Sequence, residues 1–173
     1  ILDPYQFGQV LSDYELHLFS EGTDLRAWEK FGADTMTIEG VTGVHFAVWA
    51  PNAQRVSVIG DFNRWDGRVH PMRRLVPSGV WELFVPSLTI GTVYKYEVRT
   101  SGGHLFEKTD PYAQSFEVPP KSASIIWPDS EYEWRDHDWM DDRQSFGSWH
   151  DRPMSVYEVH LGSWRRVPEQ DYR

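Results

Sequence analysis

The chain has 173 residues, 40% of them hydrophobic and 15% aromatic, which is enough for one ordinary domain with a core and some additional chain. Its 17 Lys and Arg against 26 Asp and Glu give a net charge of −9, which excludes proteins that bind nucleic acid or anionic membranes through a basic surface. There is no cysteine and no apolar run near the roughly 20 residues of a membrane span, so we expect a cytoplasmic protein without disulfides, thiolate metal sites or a Cys nucleophile.

Residues 1–32 are predicted to form a helical or extended segment. Thr23-Asp24 can cap a short helix, and Gly32 can end it in a left-handed conformation. The apolar residues of that helix recur at three-residue spacing: Leu25, Trp28 and Phe31. This pattern predicts a small amphipathic helix that covers the start of the next domain.

Residues 33–127 show apolar and polar side chains alternating with period two, which is strand behaviour. The clearest case is the run 94–99, in which Tyr94, Tyr96 and Val98 face one way. Seven short strands are spaced by turn residues, near 44–49, 56–58, 81–85, 94–98, 104–108, 115–118 and 124–127. The spacing predicts an all-β, immunoglobulin-like antiparallel β-sandwich whose core depends on aromatic and aliphatic burial.

Residues 128–152 have a different composition and are predicted to be an acidic linker that packs its aromatic side chains. The acids are Asp129, Glu131, Glu133, Asp136, Asp138, Asp141 and Asp142, and the aromatics among and after them are Tyr132, Trp134, Trp139 and Trp149. A cation site is the alternative, but the glycine-centred spacing of a calcium loop is missing. We therefore favour a solvated acidic face.

Residues 153–173 are predicted to begin a second domain. The run 155–161 alternates like a strand, but a strand that follows a complete sandwich has no partner in this sequence. Glu158 and His160 share one face of it and can either line a pocket or form a structural pair inside a barrel, which we favour. Because the sequence also begins without Met, we expect a segment of a longer protein.

Catalytic and metal chemistry is poorly supported by the motifs of this segment. None of the seven histidines pairs with another at the spacing of a helical metal site, so no metal site is predicted. There is no G-x-S-x-G nucleophile elbow and no phosphate-binding loop. A pair of carboxylates for glycosidic chemistry cannot be assigned from sequence, because the fold sets their separation.

Trp65 is the most informative aromatic residue, because it lies in a loop between Asn63 and Asp66-Gly67, where an indole need not be buried. A flat apolar ring beside amide and ammonium donors suits a sugar, which has a C–H face and a rim of hydroxyls. Lys95, on the polar face of its strand, can be such a donor. Trp65 is therefore either a sugar platform or a plug that closes one end of the sandwich.

Six motifs follow one another along the chain: Phe46-Ala47-Val48-Trp49-Ala50-Pro51-Asn52-Ala53, Gly60-Asp61-Phe62-Asn63-Arg64-Trp65-Asp66-Gly67, His70-Pro71-Met72, Gly79-Val80-Trp81-Glu82-Leu83-Phe84-Val85-Pro86, Tyr94-Lys95-Tyr96 and Thr109-Asp110-Pro111-Tyr112-Ala113. In this order they closely resemble bacterial 1,4-α-glucan branching enzymes. The run Tyr157-Glu158-Val159-His160-Leu161-Gly162-Ser163-Trp164 resembles the first barrel strand of those enzymes. The resemblance covers nearly the whole chain.

The resemblance implies a carbohydrate-binding sandwich placed ahead of an α-amylase-like (β/α)₈ barrel, of which only the start is present. The family's catalytic Asp and Glu residues lie on later barrel strands, so it implies no catalytic residue in this segment and no cofactor. The implied parent reaction cleaves an α-1,4 bond with retention and transfers the glucan to a 6-hydroxyl. The implied partners are an α-glucan and the barrel of the parent chain.

In related glycogen-binding modules, the aromatic residue of the F-N-x-W loop and the lysine of the Y-K-[FY] strand contact glucan. These positions correspond to Trp65 and Lys95, with Asn63 beside them as a further candidate. The modules also use a second tryptophan and an asparagine, where this chain has Leu105-Phe106-Glu107 and Ser124. The sandwich can therefore either bind glucan or chiefly brace the barrel. A free-standing glycogen-binding module and the N-terminal part of a debranching isoamylase are the alternatives.

Overall fold

Two antiparallel sheets form the described fold, as the period-two alternation predicts. A computed structural model describes residues 2–128, 133–145, 147 and 153–160. The chain divides into two compact units, Ile1–Glu131 and Tyr132–Arg173, and the first unit holds the strands.

The strands of the first sheet are β1 (Gly32–Ile38), β2 (Val41–Trp49), β4 (Arg73–Leu75) and β5 (Val80–Pro86). Those of the second are β3 (Ala53–Gly60), β6 (Val93–Thr100), β7 (Leu105–Lys108), β8 (Ser115–Phe116) and β9 (Ser124–Ile125). The strand order is β1-β2-β5-β4 in the first sheet and β3-β6-β9-β8 in the second, with β7 also paired to β6. The seven predicted strands are present, while β1 and β4 were not predicted. The all-β sandwich is confirmed.

The main core lies between the two sheets and is built largely from alternate, inward-facing residues of strands in both sheets. It consists of Val44, Phe46, Val48, Ala53, Val56, Val58, Met72, Trp81, Leu83, Val85, Tyr94, Tyr96 and Ile126. Aromatic burial at Phe46 and Tyr94, whose ring centroids are 5.1 Å apart, contributes to this core in the absence of a disulfide. The inward set on β6 is the one that its alternation predicts.

The N-terminal segment covers the outer face of the first sheet and forms a second core there. Its buried residues are Leu11, Leu16, Phe31, Ala47, Leu75 and Val80. The ring of Phe7 packs edge-on against Phe84 of β5, with the centroids 4.7 Å apart. Strands β2 and β5 are consequently buried on both faces.

The helix of the N-terminal segment differs from the prediction. It is α1 (Asp13–Glu21), which begins with a capping box between Ser12 and Glu15 and ends at Gly22 in the left-handed conformation. The predicted helical region contains only a single 3₁₀ turn, Ala27–Glu29. Leu25 is 89% exposed and Phe31 is buried, since both residues lie outside the turn and no helix joins them on one face.

The second unit contains the helix α2 (His137–Ser145), within the region predicted as an acidic linker. Trp134 and Trp139 are more than half exposed, and the packing of the linker's aromatic side chains stays a prediction. Tyr132 and Trp149 lie outside the described residues.

Residues 153–160 form no strand, and Glu158 and His160 are exposed, so the start of a barrel in this segment stays a prediction. A strand is defined by its ladder of hydrogen bonds to a neighbour, and the described residues provide no such ladder here. Leu161 to Trp164, the end of the predicted barrel strand, lie outside the described residues.

Candidate functional site

A groove of about 500 Å³ opens on the second sheet, and its lining includes both Trp65 and Lys95. The lining residues are Asp61, Trp65, Val93, Lys95, Glu107, Glu117, Pro120, Lys121, Ser122 and Ala123. They come from the loop after β3, from strands β6 and β7, and from the connection between β8 and β9. Three carboxylates and two ammonium groups therefore line the groove together with the indole of Trp65.

The loop that carries Trp65 is a compact turn fixed at both ends. A 3₁₀ turn spans Asp61–Asn63, and Arg64 and Trp65 both adopt left-handed backbone angles, with φ of 57° and 59°. Such angles are costly for residues with a side chain, and they persist where surrounding contacts impose them. A Cβ on Gly67 would overlap the carboxylate of Glu97, so a larger residue at the far end of the loop would displace that side chain.

Asn63 supplies several of those contacts from inside the loop. Its Oδ1 accepts a 3.0 Å hydrogen bond from the Gly60 N–H, and its Nδ2 donates to the Val58 carbonyl oxygen at 2.9 Å. The same Nδ2 lies 2.9 Å from Nδ1 of His70, and burial lowers the pKa of His70, which favours the neutral ring as acceptor. Asn63 is 6% exposed and is not part of the groove lining. The structure thus places it beneath the Trp65 loop.

The indole of Trp65 is partly buried and held in a fixed orientation. Its Nε1–H donates a 2.7 Å hydrogen bond to Oδ1 of Asp61, and its backbone N–H donates to the Gly60 carbonyl at 2.9 Å. Trp65 belongs to neither buried hydrophobic cluster, whereas Phe62 of the same loop packs against the main core. Phe62 is therefore the residue of this loop that packs against the core, and Trp65 lines the groove.

Lys95 stands on the outer face of β6 between the inward-facing Tyr94 and Tyr96. Its Nζ is 3.5 Å from Oε2 of Glu107 on β7, and 19% of its side chain is exposed. The ammonium group is thus partly enclosed but still reaches the groove. A hydroxyl can accept from it, while the carboxylate beside it can accept from the same or a neighbouring hydroxyl.

The connection between β8 and β9 was not predicted as part of the site. It contributes half of the lining, including Glu117 and Lys121, although it is more than 50 residues from Trp65 in sequence. The pairing of β9 with β6 brings it there, and a single sequence does not reveal such non-local pairing. Ser124, noted at this end of the sequence, is fully buried and its Oγ accepts from the Asp110 N–H at 3.0 Å.

The two other prominent acids are enclosed in the fold. Asp110 is 1% exposed and accepts hydrogen bonds from the hydroxyls of Tyr94 and Tyr96, at 2.6 and 3.1 Å. Burial raises the pKa of Asp110 and, together with that carboxyl, raises the pKa of both tyrosines. Glu82, also 1% exposed, accepts from the N-terminal segment. Their geometry indicates structural roles.

No group of three or more His, Asp or Glu side chains arranged to hold a metal ion occurs within the described ranges. Within the same ranges, no helix has the length and apolarity to cross a membrane.

Comparison with known proteins gives the class to which this sandwich belongs. Residues 30–113 match carbohydrate-binding module 48, the isoamylase N-terminal domain. The chain is 55% identical over 96% of its length to the 1,4-alpha-glucan branching enzyme GlgB of Paramagnetospirillum magneticum, covering 23% of that protein. It is 53% identical over its whole length to the GlgB of Gloeobacter violaceus, covering 24% of that protein. A crystal structure of Klebsiella pneumoniae pullulanase complexed with maltotriose matches 63% of the chain and 11% of its own, with 29% identity and a TM-score of 0.47.

Most of the sandwich thus matches a carbohydrate-binding module. Over nearly its whole length the chain is similar to 1,4-α-glucan branching enzymes, which confirms the resemblance seen in its motifs. It spans about a quarter of the length of the relatives that it matches.

Proposed function

We propose that the parent protein is a glycogen branching enzyme of the cytoplasm and that this portion holds α-glucan for it. The parent reaction would transfer an α-1,4-glucan segment to a 6-hydroxyl with retention of configuration. Relatives named as branching enzymes align over 96–100% of the chain, well beyond the module at 30–113, which favours this proposal over a free-standing module. The cysteine-free sequence suits the reducing cytoplasm.

The observation that carries glucan binding is the placement of Trp65 and Lys95 in one groove. A glucosyl ring can stack its C–H face on the indole while its hydroxyls hydrogen-bond to the ammonium group. Asn63, buried beneath the loop, acts in this proposal by holding the indole in place. Holding a long chain away from the reacting bond supplies binding energy that a transferase can use for positioning.

The test is binding of maltoheptaose and glycogen to the 173-residue chain, by isothermal titration calorimetry and affinity electrophoresis. Trp65→Ala removes the platform, and we expect roughly 30-fold weaker binding, as for a central aromatic contact worth about 2 kcal/mol. Trp28→Ala is the matched control, because Trp28 is 57% exposed and is not part of the groove lining. Equal affinity of Trp65→Ala and wild type would instead support a module that only braces the barrel.

A further inference from the structure

The Trp65 ring has a close polar neighbour in its own loop, the carboxylate of Asp61. Asp61 opens the 3₁₀ turn Asp61–Asn63, and its Oδ1 accepts the indole Nε1–H of Trp65 at 2.7 Å. That distance is short for an N–H···O bond, as expected where the acceptor is charged. The Asp61 carbonyl also accepts the Arg64 N–H at 3.2 Å. One residue therefore holds the loop through its backbone and the ring through its side chain.

The backbone of the loop does not by itself fix the indole. The Trp65 N–H is bonded to the Gly60 carbonyl, but rotation about the bonds of the Trp65 side chain remains. Trp65 belongs to neither buried hydrophobic cluster, so core packing does not set the direction of its ring. Among the contacts that the described part of the chain gives this ring, the hydrogen bond to Asp61 is the directional one.

The same hydrogen bond decides which part of the indole a ligand can use. An indole has one donor, its Nε1–H, and Asp61 occupies that donor. A glucosyl ring is left with the apolar surface of the indole, while its hydroxyls bond to Lys95 of the same groove. A freely rotating indole would lose its rotational freedom on binding, and a ring that is already held avoids this cost in affinity.

We infer that Asp61 is a positioning residue for the glucan site, and that its carboxylate holds the indole of Trp65 in the orientation that glucan binds. The inference rests on the proposed function of this groove. Because Asp61 acts through the ring, loss of its carboxylate should weaken binding only where an indole N–H is present. Asp61→Ala removes the acceptor, Asp61→Asn keeps an amide oxygen, and Trp65→Phe keeps an aromatic ring without the N–H.

The experiment is a double-mutant cycle on the 173-residue chain, with maltoheptaose as the probe in isothermal titration calorimetry. We expect Asp61→Ala to weaken binding about three- to tenfold, the effect of one charge-assisted hydrogen bond, and Asp61→Asn to weaken it less than about threefold. In the Trp65→Phe background, Asp61→Ala should change the affinity by less than about twofold. The full loss in that background would overturn the inference, because Asp61 would then act without the indole.

Asp66→Asn is the matched control. It removes one negative charge from the same loop, but the Asp66 carboxylate pairs with Arg68 and does not line the groove. We therefore expect wild-type affinity for this variant, and a loss equal to that of Asp61→Ala would assign the effect to the charge of the loop instead. Equal unfolding midpoints of the variants and wild type show that the substitutions leave the fold unchanged.

The indole N–H gives a second readout that requires no ligand. In a proton–nitrogen correlation spectrum, the Trp65 Nε1–H signal is the indole signal that Trp65→Phe removes. We expect this hydrogen to exchange with solvent faster in Asp61→Ala than in wild type, and at the wild-type rate in Asp66→Asn. An unchanged exchange rate in Asp61→Ala would contradict the hold of the carboxylate on the ring.

The outcomes separate this inference from the proposed function of the groove. Wild-type affinity of Asp61→Ala, together with weakened binding by Trp65→Ala, overturns the positioning role and leaves glucan binding at Trp65 in place. Wild-type affinity of Trp65→Ala removes the glucan site, and the positioning role of Asp61 with it.

Discussion

Glu82 connects the N-terminal segment to the sandwich, and its replacement by glutamine should loosen that connection. Oε1 of Glu82 accepts from the Val10 N–H at 3.0 Å, and Oε2 accepts from the Leu11 N–H and from Nε2 of His45, both at 3.1 Å. The site is buried, with Glu82 at 1% and His45 at 2% exposure. Glutamine offers one oxygen and an NH₂ group, so at least one of these donors must face another donor.

The expected loss of stability follows from the hydrogen-bond donor that is left without an acceptor. If the glutamine oxygen keeps Leu11 and His45, the Val10 N–H is left unsatisfied, which costs about 1–3 kcal/mol, and the two retained bonds lose their charge assistance. We expect Glu82→Gln to lower the free energy of unfolding by about 3 kcal/mol, or the melting temperature by roughly 10 °C for a unit of this size. The control Glu29→Gln removes only a surface pair with Arg26 and should cost less than about 0.5 kcal/mol.

Guanidinium denaturation followed by tryptophan fluorescence measures the difference, and limited proteolysis reports whether the N-terminal segment is released first. Burial alone would raise the pKa of Glu82, but the hydrogen bonds from His45, Leu11 and Val10 leave it below its ordinary value of 4.5. A lowered folded pKa stabilises the fold above pH 4.5 and loses that effect as the pH falls through the folded value. The difference in free energy of unfolding between Glu82→Gln and wild type should therefore become smaller in acid. A difference below about 0.5 kcal/mol at neutral pH would refute the proposal that the Glu82 carboxylate holds the N-terminal segment.

Two further predictions concern the layers beneath the groove. Burial holds the pKa of His70 below 6.5, so protonation weakens the contact of His70 with Asn63 as the pH falls through the lowered pKa. Glucan affinity measured by calorimetry should therefore decline in acid for wild type but not for His70→Gln. Identical pH profiles of the two proteins would contradict this prediction. Tyr94→Phe removes the 2.6 Å hydrogen bond to Asp110 and should cost about 2 kcal/mol by thermal unfolding at neutral pH, against almost none for the exposed Tyr14→Phe. Because burial raises the pKa of Asp110, the cost should shrink as acid protonates that carboxyl, and a pH-independent difference would argue against it.

Local patterns were sufficient for most of the sandwich but not for its first strand. The hairpin between β1 and β2 turns at Glu39-Gly40, with φ of 52° and 79°. Two-residue turns of this kind favour Asn or Asp at the first position, so glutamate conceals the turn. The helix α1 was not predicted, although Ser12 and Glu15 have the spacing of a capping box. The three-residue spacing of apolar residues in 25–31 led to a helix being predicted there instead.

The candidate site was also predicted only in part, because local sequence patterns indicate some of its residues and strand register places the others. The turn residues around Trp65 and the alternation around Lys95 are local, and both side chains line the groove. Asn63 was grouped with them for its amide, but the structure uses that amide to hold the loop, as short polar side chains in tight turns commonly do. The groove lining at Glu117 and Lys121 depends on strand register, which propensity and periodicity do not contain.

The register that builds the groove also links it to the buried network around Asp110. The Tyr94 hydroxyl donates to the Asp110 carboxylate, and the Ser124 hydroxyl accepts from the Asp110 N–H. Asp110 therefore holds β6 and β9 from within the core, at the residues that lie beneath the groove. A substitution at Asp110 should therefore alter the spacing between the Trp65 loop and the connection between β8 and β9, and weaken binding of maltoheptaose more than binding of maltose. Glu82 lies on the other sheet, among the contacts of the N-terminal segment. Glu82→Gln should accordingly reduce stability while leaving the affinity of the folded protein for maltoheptaose unchanged.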